Sequence, residues 1–220
     1  MAIILNIDTA VETASVCLSE NEKSLGLMVN NQQKDHASWL HPAIKKLLDD
    51  TNMSLRDIDA IAVTIGPGSY TGLRIGLSAA KGLCYALGKP LVSVNTLELM
   101  AYSVDKKPGE LICPAIDARR MEIFTALYDE NMIEIIAPTA MIIEPNSFMT
   151  ILENKRIVFI GNAVDKLEKE IVHVNASFNK FSANASHMAP LSAQRLAFKK
   201  FDNLAYTEPF YIKEFYTPAR

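Results

Sequence analysis

The sequence predicts an α/β fold made of two related lobes, of which the second is shorter. Two apolar runs end in an aspartate, AIILNID at Asp8 and LICPAID at Asp117. Two more end in a glycine, AIAVTI before Gly66 and IVFI before Gly161. Short apolar runs closed by turn residues are typical of buried strands. Because the same series occurs twice, we interpret the chain as an internal duplication.

The first lobe is predicted to begin with a three-stranded antiparallel meander, residues 2–8, 13–19 and 24–29, because only short turns separate these runs. Residues 35–50 have apolar positions at helical spacing, with Asp35 as a suitable N-cap and Pro42 at an expected kink. The remaining predicted elements of this lobe are strand 60–65, helix 69–87, strand 91–94 and helix 96–104.

The second lobe is predicted to repeat this order of strands and helices in a shorter form. Pro108-Gly109 breaks the chain, so the expected domains are residues 1–105 and residues 106–220. The predicted elements are strands 111–117, 122–128, 133–137 and 157–160, a helical stretch after Pro145, and a last helix over 190–201.

The helix predicted over 69–87 is unusually rich in glycine. Interior glycine costs a helix about 1 kcal/mol relative to alanine, so it needs a compensating reason. Gly72, Gly76, Ala80 and Leu83 recur at a spacing near one helical turn. They predict a nearly flat helix face that another backbone can approach closely.

Composition narrows the class of protein. The net charge of the 220 residues is −3, and no more than two lysines or arginines are adjacent in the sequence. A stand-alone nucleic-acid binder usually has a basic face, so this class is disfavoured. The three cysteines, at positions 17, 84 and 113, lie in apolar runs and predict buried thiols in a reducing compartment. No long apolar segment is present, so we expect a cytoplasmic protein without a membrane anchor.

The duplicated pattern, with an acid at the end of the first strand of each lobe, resembles the actin-like ATPase (ribonuclease H-like) fold. In that fold, strand-end acids hold Mg²⁺ and strand-connecting hairpins bind the phosphates of ATP. Asp8 and Asp117 are the corresponding residues here, but such an aspartate often only caps the following turn. The first hairpin, Asp8 to Val11, contains no glycine, which disfavours close approach of a phosphate.

Five short motifs resemble one family in particular. They are GPGSYTGLRIG at 66–76, DTA at 8–10, DARRMEIF at 117–124, GNA at 161–163 and EPFYIK at 208–213. Together they resemble the TsaB (YeaZ) family, the short paralogue of the threonylcarbamoyltransferase TsaD, an enzyme of the glycoprotease-like family. The resemblance extends over nearly the whole chain.

The resemblance implies an accessory function. TsaB-type chains support TsaD as a heterodimer while TsaD transfers a threonylcarbamoyl group to adenosine 37 of certain tRNAs. A small TsaE-type ATPase joins them. This chain is therefore expected to reach tRNA through the complex. Because an exposed apolar helix pair is unfavourable in water, a homodimer through the same face is also expected when the partner is absent.

The resemblance also implies where the partner binds. The pairing surface of the family lies on the two helices that here span 35–50 and 69–87, and a glycine-rich face beside a helix carrying Trp39 suits close helix packing. The predicted interface residues are His36, Trp39, Leu40, Ala43, Gly72, Arg74, Ile75, Gly76, Ala79, Ala80 and Leu83. Arg74 has two open interpretations, a structural ion-pair partner or an interface anchor.

No catalytic, cofactor-binding or metal-binding residue is predicted. TsaD-type members bind a metal through a His-x-x-x-His motif, and the matching segment here, SVNTLELMAY at 93–102, has no histidine. His36 and His41 lie about 140° apart on a helix and make a poor metal pair. Gly66-Pro67-Gly68-Ser69 opens a helix, so it is either an anion site or a tight turn with Ser69 as N-cap.

Two other functions remain as alternatives. An independent weak ATPase or small-molecule kinase of actin-like fold would bind ATP through Asp8. A protease would need a nucleophile such as Ser69 or Ser78 together with a histidine that the sequence does not place nearby.

Overall fold

The computed structural model describes residues 1–32 and 35–213. It contains two compact units. Unit 1 comprises Met1–Leu99 and Ala183–Phe210, and unit 2 comprises Met100–Ser182 together with the described residues 211–213. The predicted domains, 1–105 and 106–220, are continuous stretches, whereas the segment Ala183–Phe210 returns to unit 1.

Unit 1 is built on a five-stranded mixed sheet in the order β3-β2-β1-β4-β5. β1, β2 and β3 pair antiparallel, as the predicted meander requires, and β4 and β5 run parallel to β1. The strands are β1 (Ile3–Asp8), β2 (Ala14–Glu20), β3 (Lys23–Asn30), β4 (Ala60–Gly66) and β5 (Leu91–Asn95).

Two long helices cover one face of this sheet. They are α1 (His36–Asp50), which contains Pro42, and α2 (Tyr70–Leu87). Successive side chains of a strand point to opposite faces, so Ile3, Leu5 and Ile7 of β1 share one face. These three belong to the same buried cluster as Leu40, Ala43 and Leu47 of α1 and Leu77 and Ala80 of α2.

The opposite face of the sheet in unit 1 carries polar side chains. Their hydrogen-bond partners lie in Ala183–Phe210, which we call the returning segment. The Ser192 hydroxyl donates to Asn6 Oδ1 (2.7 Å), and the Ala185 amide donates to Ser15 Oγ (2.8 Å). Ser192 lies on α6 (Ala189–Ala197), and Ala185 begins a 3₁₀ turn, Ala185–Met188. The sequence predicted α6 over 190–201, but it ends at Ala197 because the chain turns at Lys199, whose φ is +54°.

Unit 2 repeats the sheet of unit 1 with smaller helices. Its order is β10-β9-β6-β7-β8, which is the order of unit 1 read from the other edge. The strands are β6 (Glu110–Asp117), β7 (Glu122–Tyr128), β8 (Glu134–Ile142), β9 (Arg156–Ile160) and β10 (Ala176–Asn179). The helices are α4 (Met149–Leu152) and α5 (Val164–Glu170), and α3 (Thr96–Tyr102) lies where unit 1 passes into unit 2.

The helices show how the second copy is abbreviated. After the meander, unit 1 has the 15-residue α1, whereas unit 2 has the four-residue α4. After the next strand, unit 1 has the 18-residue α2, whereas unit 2 has the seven-residue α5. The predicted duplicated α/β fold with a shorter second lobe is confirmed. Sequence reasoning missed α5 and β10, whose short polar stretches give little periodic signal.

The glycines of α2 let the helix contact the loop after β1. A Cβ on Gly72 would lie 2.1 Å from the Thr9 carbonyl oxygen, and one on Gly76 would lie 2.3 Å from Thr9 Oγ1. A Cβ on Gly68, just before the helix, would lie 2.1 Å from the Ala10 carbonyl oxygen. The backbone that approaches the flat helix face is therefore this chain's own β1–β2 hairpin.

We expect Gly72→Ala to destabilise unit 1 by roughly 2–3 kcal/mol, because the added Cβ meets a backbone oxygen that cannot move independently. Gly82→Ala on the same helix is the matched control, since a Cβ there has no neighbour within 4 Å. It should stabilise by about 0.5–1 kcal/mol through helix propensity. Urea unfolding midpoints measure both, and equal midpoints for the two variants would contradict the packing described here.

Candidate partner-binding surface

An apolar groove runs between α1 and α2 on the surface of unit 1. Ala37, His41, Ser78 and Gly82 are exposed along it, and Ile75 and Leu83 are half-buried. Leu40 and Ala79 are buried and complete its lining. None of these side chains is a carboxylate, lysine or arginine. The groove therefore lacks carboxylates and lysines, which are depleted at the centre of protein interfaces.

The structure separates the predicted interface residues into three sets. Four line the groove: Leu40, Ile75, Ala79 and Leu83. Trp39 is half-buried and packs against the core of unit 1, and Arg74 is exposed with its guanidinium carbon 3.9 Å from the centre of the Tyr70 ring. The remaining five, His36, Ala43, Gly72, Gly76 and Ala80, are buried inside unit 1.

The packing of unit 1 places those five residues in its interior. Gly72 and Gly76 contact Thr9, and Ala43 and Ala80 belong to the core beneath the helices. A bulky residue at Gly76 would disturb the fold of unit 1 before it reached a partner. The residues that sequence reasoning missed, Ala37, His41, Ser78 and Gly82, follow from helical spacing: Ser78 and Gly82 lie three and seven positions after Ile75.

The two histidines of α1 have different environments. His36 is 3 % exposed, and neither of its ring nitrogens has a hydrogen-bond partner among the described residues. His41 is exposed in the groove, where no hydrogen bond within the described chain joins it to the Ser78 hydroxyl. The other serine considered as a nucleophile, Ser69, accepts a hydrogen bond from the Gly72 amide (3.2 Å). Neither serine therefore has the histidine partner that serine proteolysis requires.

The turn before α2 is held by hydrogen bonds within the chain. Ser69 is the N-cap of the helix, and its own amide donates to the Ala10 carbonyl oxygen (2.7 Å). Thr9 Oγ1 donates to the Gly72 carbonyl oxygen (2.7 Å). The sequence allows two interpretations of Gly66-Pro67-Gly68-Ser69, an anion site or a tight turn. In the structure these residues form the tight turn, with Ser69 as the N-cap of α2.

The side chain of Asp8, at the end of β1, is buried in the interior of unit 1. It is 2 % exposed, and its Oδ1 accepts hydrogen bonds from Thr64 Oγ1 (2.8 Å) and from the Ala10 amide (3.1 Å). Burial raises the pKa of the Asp8 carboxyl above its ordinary 3.8, while these hydrogen bonds and the nearby His36 oppose the shift. The carboxyl thus caps its own turn and stabilises the end of β4.

Asp117, the equivalent residue of unit 2, is engaged by one lysine, by a backbone amide and by an asparagine side chain. Its Oδ1 lies 2.5 Å from Lys166 Nζ on α5 and accepts from the Arg119 amide (2.6 Å). Its own amide donates to Asn162 Oδ1 (2.8 Å). An ammonium group therefore contacts the oxygen that a Mg²⁺ ion would need. In the described part of the chain, no three His, Cys, Asp or Glu side chains come together as metal ligands.

Comparison with known proteins identifies the family. Residues 17–214 match the family model described as "TsaD: tRNA N6-adenosine threonylcarbamoyltransferase". The "tRNA threonylcarbamoyladenosine biosynthesis protein TsaB" of Escherichia coli strain K12 is 32% identical over 218 residues, covering 96% of this chain and 94% of that protein. The chain belongs to the TsaB family. The resemblance inferred from GPGSYTGLRIG and its companion motifs is confirmed.

Solved structures agree with this fold. A Pseudomonas aeruginosa protein described as similar to peptidase YEAZ superposes with a TM-score of 0.83 at 24% identity, covering 97% of this chain and 100% of that one. A ROK family protein from Streptococcus pneumoniae TIGR4, solved with sucrose, has a TM-score of 0.50 at 9% identity, covering 90% and 99%. The TsaB-family chain therefore has the predicted actin-like architecture. Among its described residues, no helix is long and apolar enough to cross a membrane.

The raised pKa of Asp8 predicts how pH affects stability. The folded state holds this proton more tightly than the unfolded state, where the group titrates near 3.8. The stability that the proton confers is complete below that pH and is lost as pH rises through the folded pKa. The Tm of Asp8→Asn minus that of the wild type should therefore increase as pH rises from below 3.8 toward neutrality.

Asp57→Asn is the control for this pH series. Hydrogen bonds from the Ser54 hydroxyl and amide lower the pKa of Asp57, so its contribution is lost as pH falls. The Tm difference for Asp57→Asn should have the opposite dependence on pH. A Tm difference for Asp8→Asn that stays constant between pH 3 and 7 would show that Asp8 keeps an ordinary pKa.

Proposed function

We propose that this chain is the non-catalytic subunit that binds and activates a TsaD-type threonylcarbamoyltransferase through the α1–α2 groove. The complex forms threonylcarbamoyladenosine at position 37 of tRNA in the cytoplasm, and a TsaE-type ATPase acts on it. The observation that carries this proposal is the exposed, uncharged groove between two helices of a chain from a tRNA-modification family.

The shape and chemistry of the groove support a helical partner. Small and aliphatic side chains on both helices, among them Ala79 and Gly82 on α2 and Ala37 on α1, allow a helix to approach closely. Such packing brings helix axes to about 8–10 Å. Leaving this apolar surface in water is unfavourable, so an occupant gains by covering it. The exposed Arg74 is on the same helix and is suited to the rim of the interface.

A partner related to this chain fits that surface. The family model that matches residues 17–214 is that of the transferase itself, so a TsaD-type partner shares the architecture of this chain. Two related chains can place equivalent helix pairs against each other in a nearly twofold arrangement. For the same reason, a second copy of this chain can occupy the groove when the transferase is absent.

The strand-end carboxylates disfavour the alternative function, an independent ATPase or small-molecule kinase. That function needs carboxylate oxygens available to a hydrated Mg²⁺ ion. Asp8 is buried and capped by Thr64, and Asp117 is paired with Lys166. Both contacts would have to break before either residue could hold a metal, so we assign the chemistry to the partner subunit.

Ser78→Glu should weaken the heterodimer at least roughly tenfold, because it places a charge in the apolar groove that the partner must desolvate. Thr150→Glu is the matched control. Thr150 is an exposed hydroxyl residue of unit 2, and its substitution makes the same charge change outside the groove. Size-exclusion chromatography with light scattering, using TsaD of the same organism, measures both. Undiminished heterodimer with Ser78→Glu would rule out the groove as the interface.

Calorimetric titration with ATP and Mg²⁺ tests the alternative on the same preparations. We expect no saturable binding to the chain alone. Saturable binding that disappears in Asp8→Ala but persists in Thr150→Glu, without a heterodimer, would favour the ATPase.

A further inference from the structure

The turn that follows α6 exposes two aromatic rings on either side of two lysines. Residues 198–201 have the sequence Phe-Lys-Lys-Phe, and we call them the FKKF turn. Phe198 is 68 % exposed and Phe201 is 45 % exposed, although phenylalanine is normally a core residue. Lys199 and Lys200 are exposed between them. Nothing in the packing of unit 1 explains why the rings point outward.

The backbone of the FKKF turn is held in place. The Lys200 amide donates to the Arg195 carbonyl oxygen (2.8 Å) and the Lys199 amide to that of Leu196 (3.0 Å), which closes the C terminus of α6. One residue later, the Asp202 amide donates to the Leu91 carbonyl oxygen on β5 (3.0 Å). The backbone of the turn is thus fastened at both ends.

Lys199 occupies a backbone conformation that favours glycine. Its φ of +54° is the left-handed conformation of the residue that ends a helix of this kind, where glycine is the usual choice. A side chain at this position costs stability. Because residues in costly backbone conformations are concentrated at functional sites, the lysine at position 199 suggests a function for its side chain.

The positive charge of the turn is not neutralised within the described chain. Neither Lys199 nor Lys200 forms an ion pair there. Asp202, the acid closest to them in the sequence, is used elsewhere, because it accepts from the Ser93 amide and hydroxyl (2.6 and 2.8 Å). Glu98 pairs with Arg195 (2.5 Å). Two lysine ammonium groups therefore remain available to an anionic ligand.

A cavity adjoins the FKKF turn. Lys200 and Phe201 line it together with Ser93, Asn95, Arg195 and Asp202. Unpaired nucleobases stack on aromatic rings such as that of Phe201. Lysines beside the rings contact the phosphates that link the bases.

We propose that the FKKF turn is an RNA contact of this subunit. Lys199 and Lys200 bind phosphates, and Phe198 and Phe201 offer their rings to unpaired bases. The inference rests on the proposed function, because the RNA that the complex meets is its tRNA substrate. A chain with a net charge of −3 cannot hold RNA by its overall field, so these two contacts add to those made by the partner subunit.

The test combines Lys199→Gly with Lys200→Gln in one variant. Glycine preserves the left-handed backbone at position 199, so the Tm of this variant should not fall. The matched control combines Lys155→Gln with Lys169→Gln, which removes two charges from exposed, unpaired lysines of unit 2. An unmodified, labelled tRNA transcript of the same organism is titrated with the heterodimer, and fluorescence anisotropy is read at several salt concentrations.

We expect the FKKF variant to bind the transcript about tenfold more weakly than the control does at low salt. The slope of log K against log salt should become shallower by about 1.4, since each phosphate contact on single-stranded nucleic acid contributes about 0.7. Unchanged affinity and slope would overturn the RNA contact. An equal loss in the control would overturn it too, by showing that only the net charge matters.

Failure of the proposed function has a different signature. In that case, no heterodimer forms in size-exclusion chromatography, and the transcript is titrated with the chain alone. Salt-dependent binding that is lost in the FKKF variant and kept in the control would then retain the RNA contact without the partner. Absence of any such binding would reject both.

Discussion

The structure of unit 1 depends on the close approach of two backbones, the hairpin after β1 and the first turns of α2. At this contact the Ser69 amide donates to the Ala10 carbonyl oxygen, and the Thr9 hydroxyl donates to the Gly72 carbonyl oxygen. Side chains at Gly68, Gly72 or Gly76 would fill the space that these hydrogen bonds need. The contact fixes the position of α2, which in turn positions the groove beside α1.

One helix therefore serves two neighbours with two different faces. The glycine face of α2 is directed inward at Thr9, and the adjacent face, with Ile75, Ser78 and Gly82, forms one wall of the groove. The same contact satisfies the amide of Ser69, the N-cap of the helix. The hairpin after β1 thus holds α2 in place in this chain.

The strands and long helices could be predicted from the sequence because apolar periodicity and turn residues were unambiguous there. The duplication was visible in Asp8 and Asp117, which end equivalent strands of two sheets with the same order. The surface was harder to predict, because a glycine-rich face has the same pattern whether it packs on its own sheet or on another protein. Only coordinates show that Gly76 contacts Thr9 while Ser78 is exposed.

Other features had no sequence signal at all. Nothing in the order of residues connects Ser192 with Asn6 or Lys166 with Asp117, because such pairs depend on how distant elements meet. The exposure of Phe198 and Phe201 was likewise hidden, since apolar residues at the end of an amphipathic helix are expected to be buried.

The returning segment Ala183–Phe210 has a consequence for how this protein can be divided. Asn6 and Ser15 are buried polar groups whose partners, Ser192 and Ala185, lie more than 150 positions later in the chain. A fragment ending near residue 105 would expose that polar face of the sheet and lose the bridge between Leu91 and Asp202. During synthesis, unit 1 is therefore completed only after residues 183–210 have left the ribosome, although its strands emerge first.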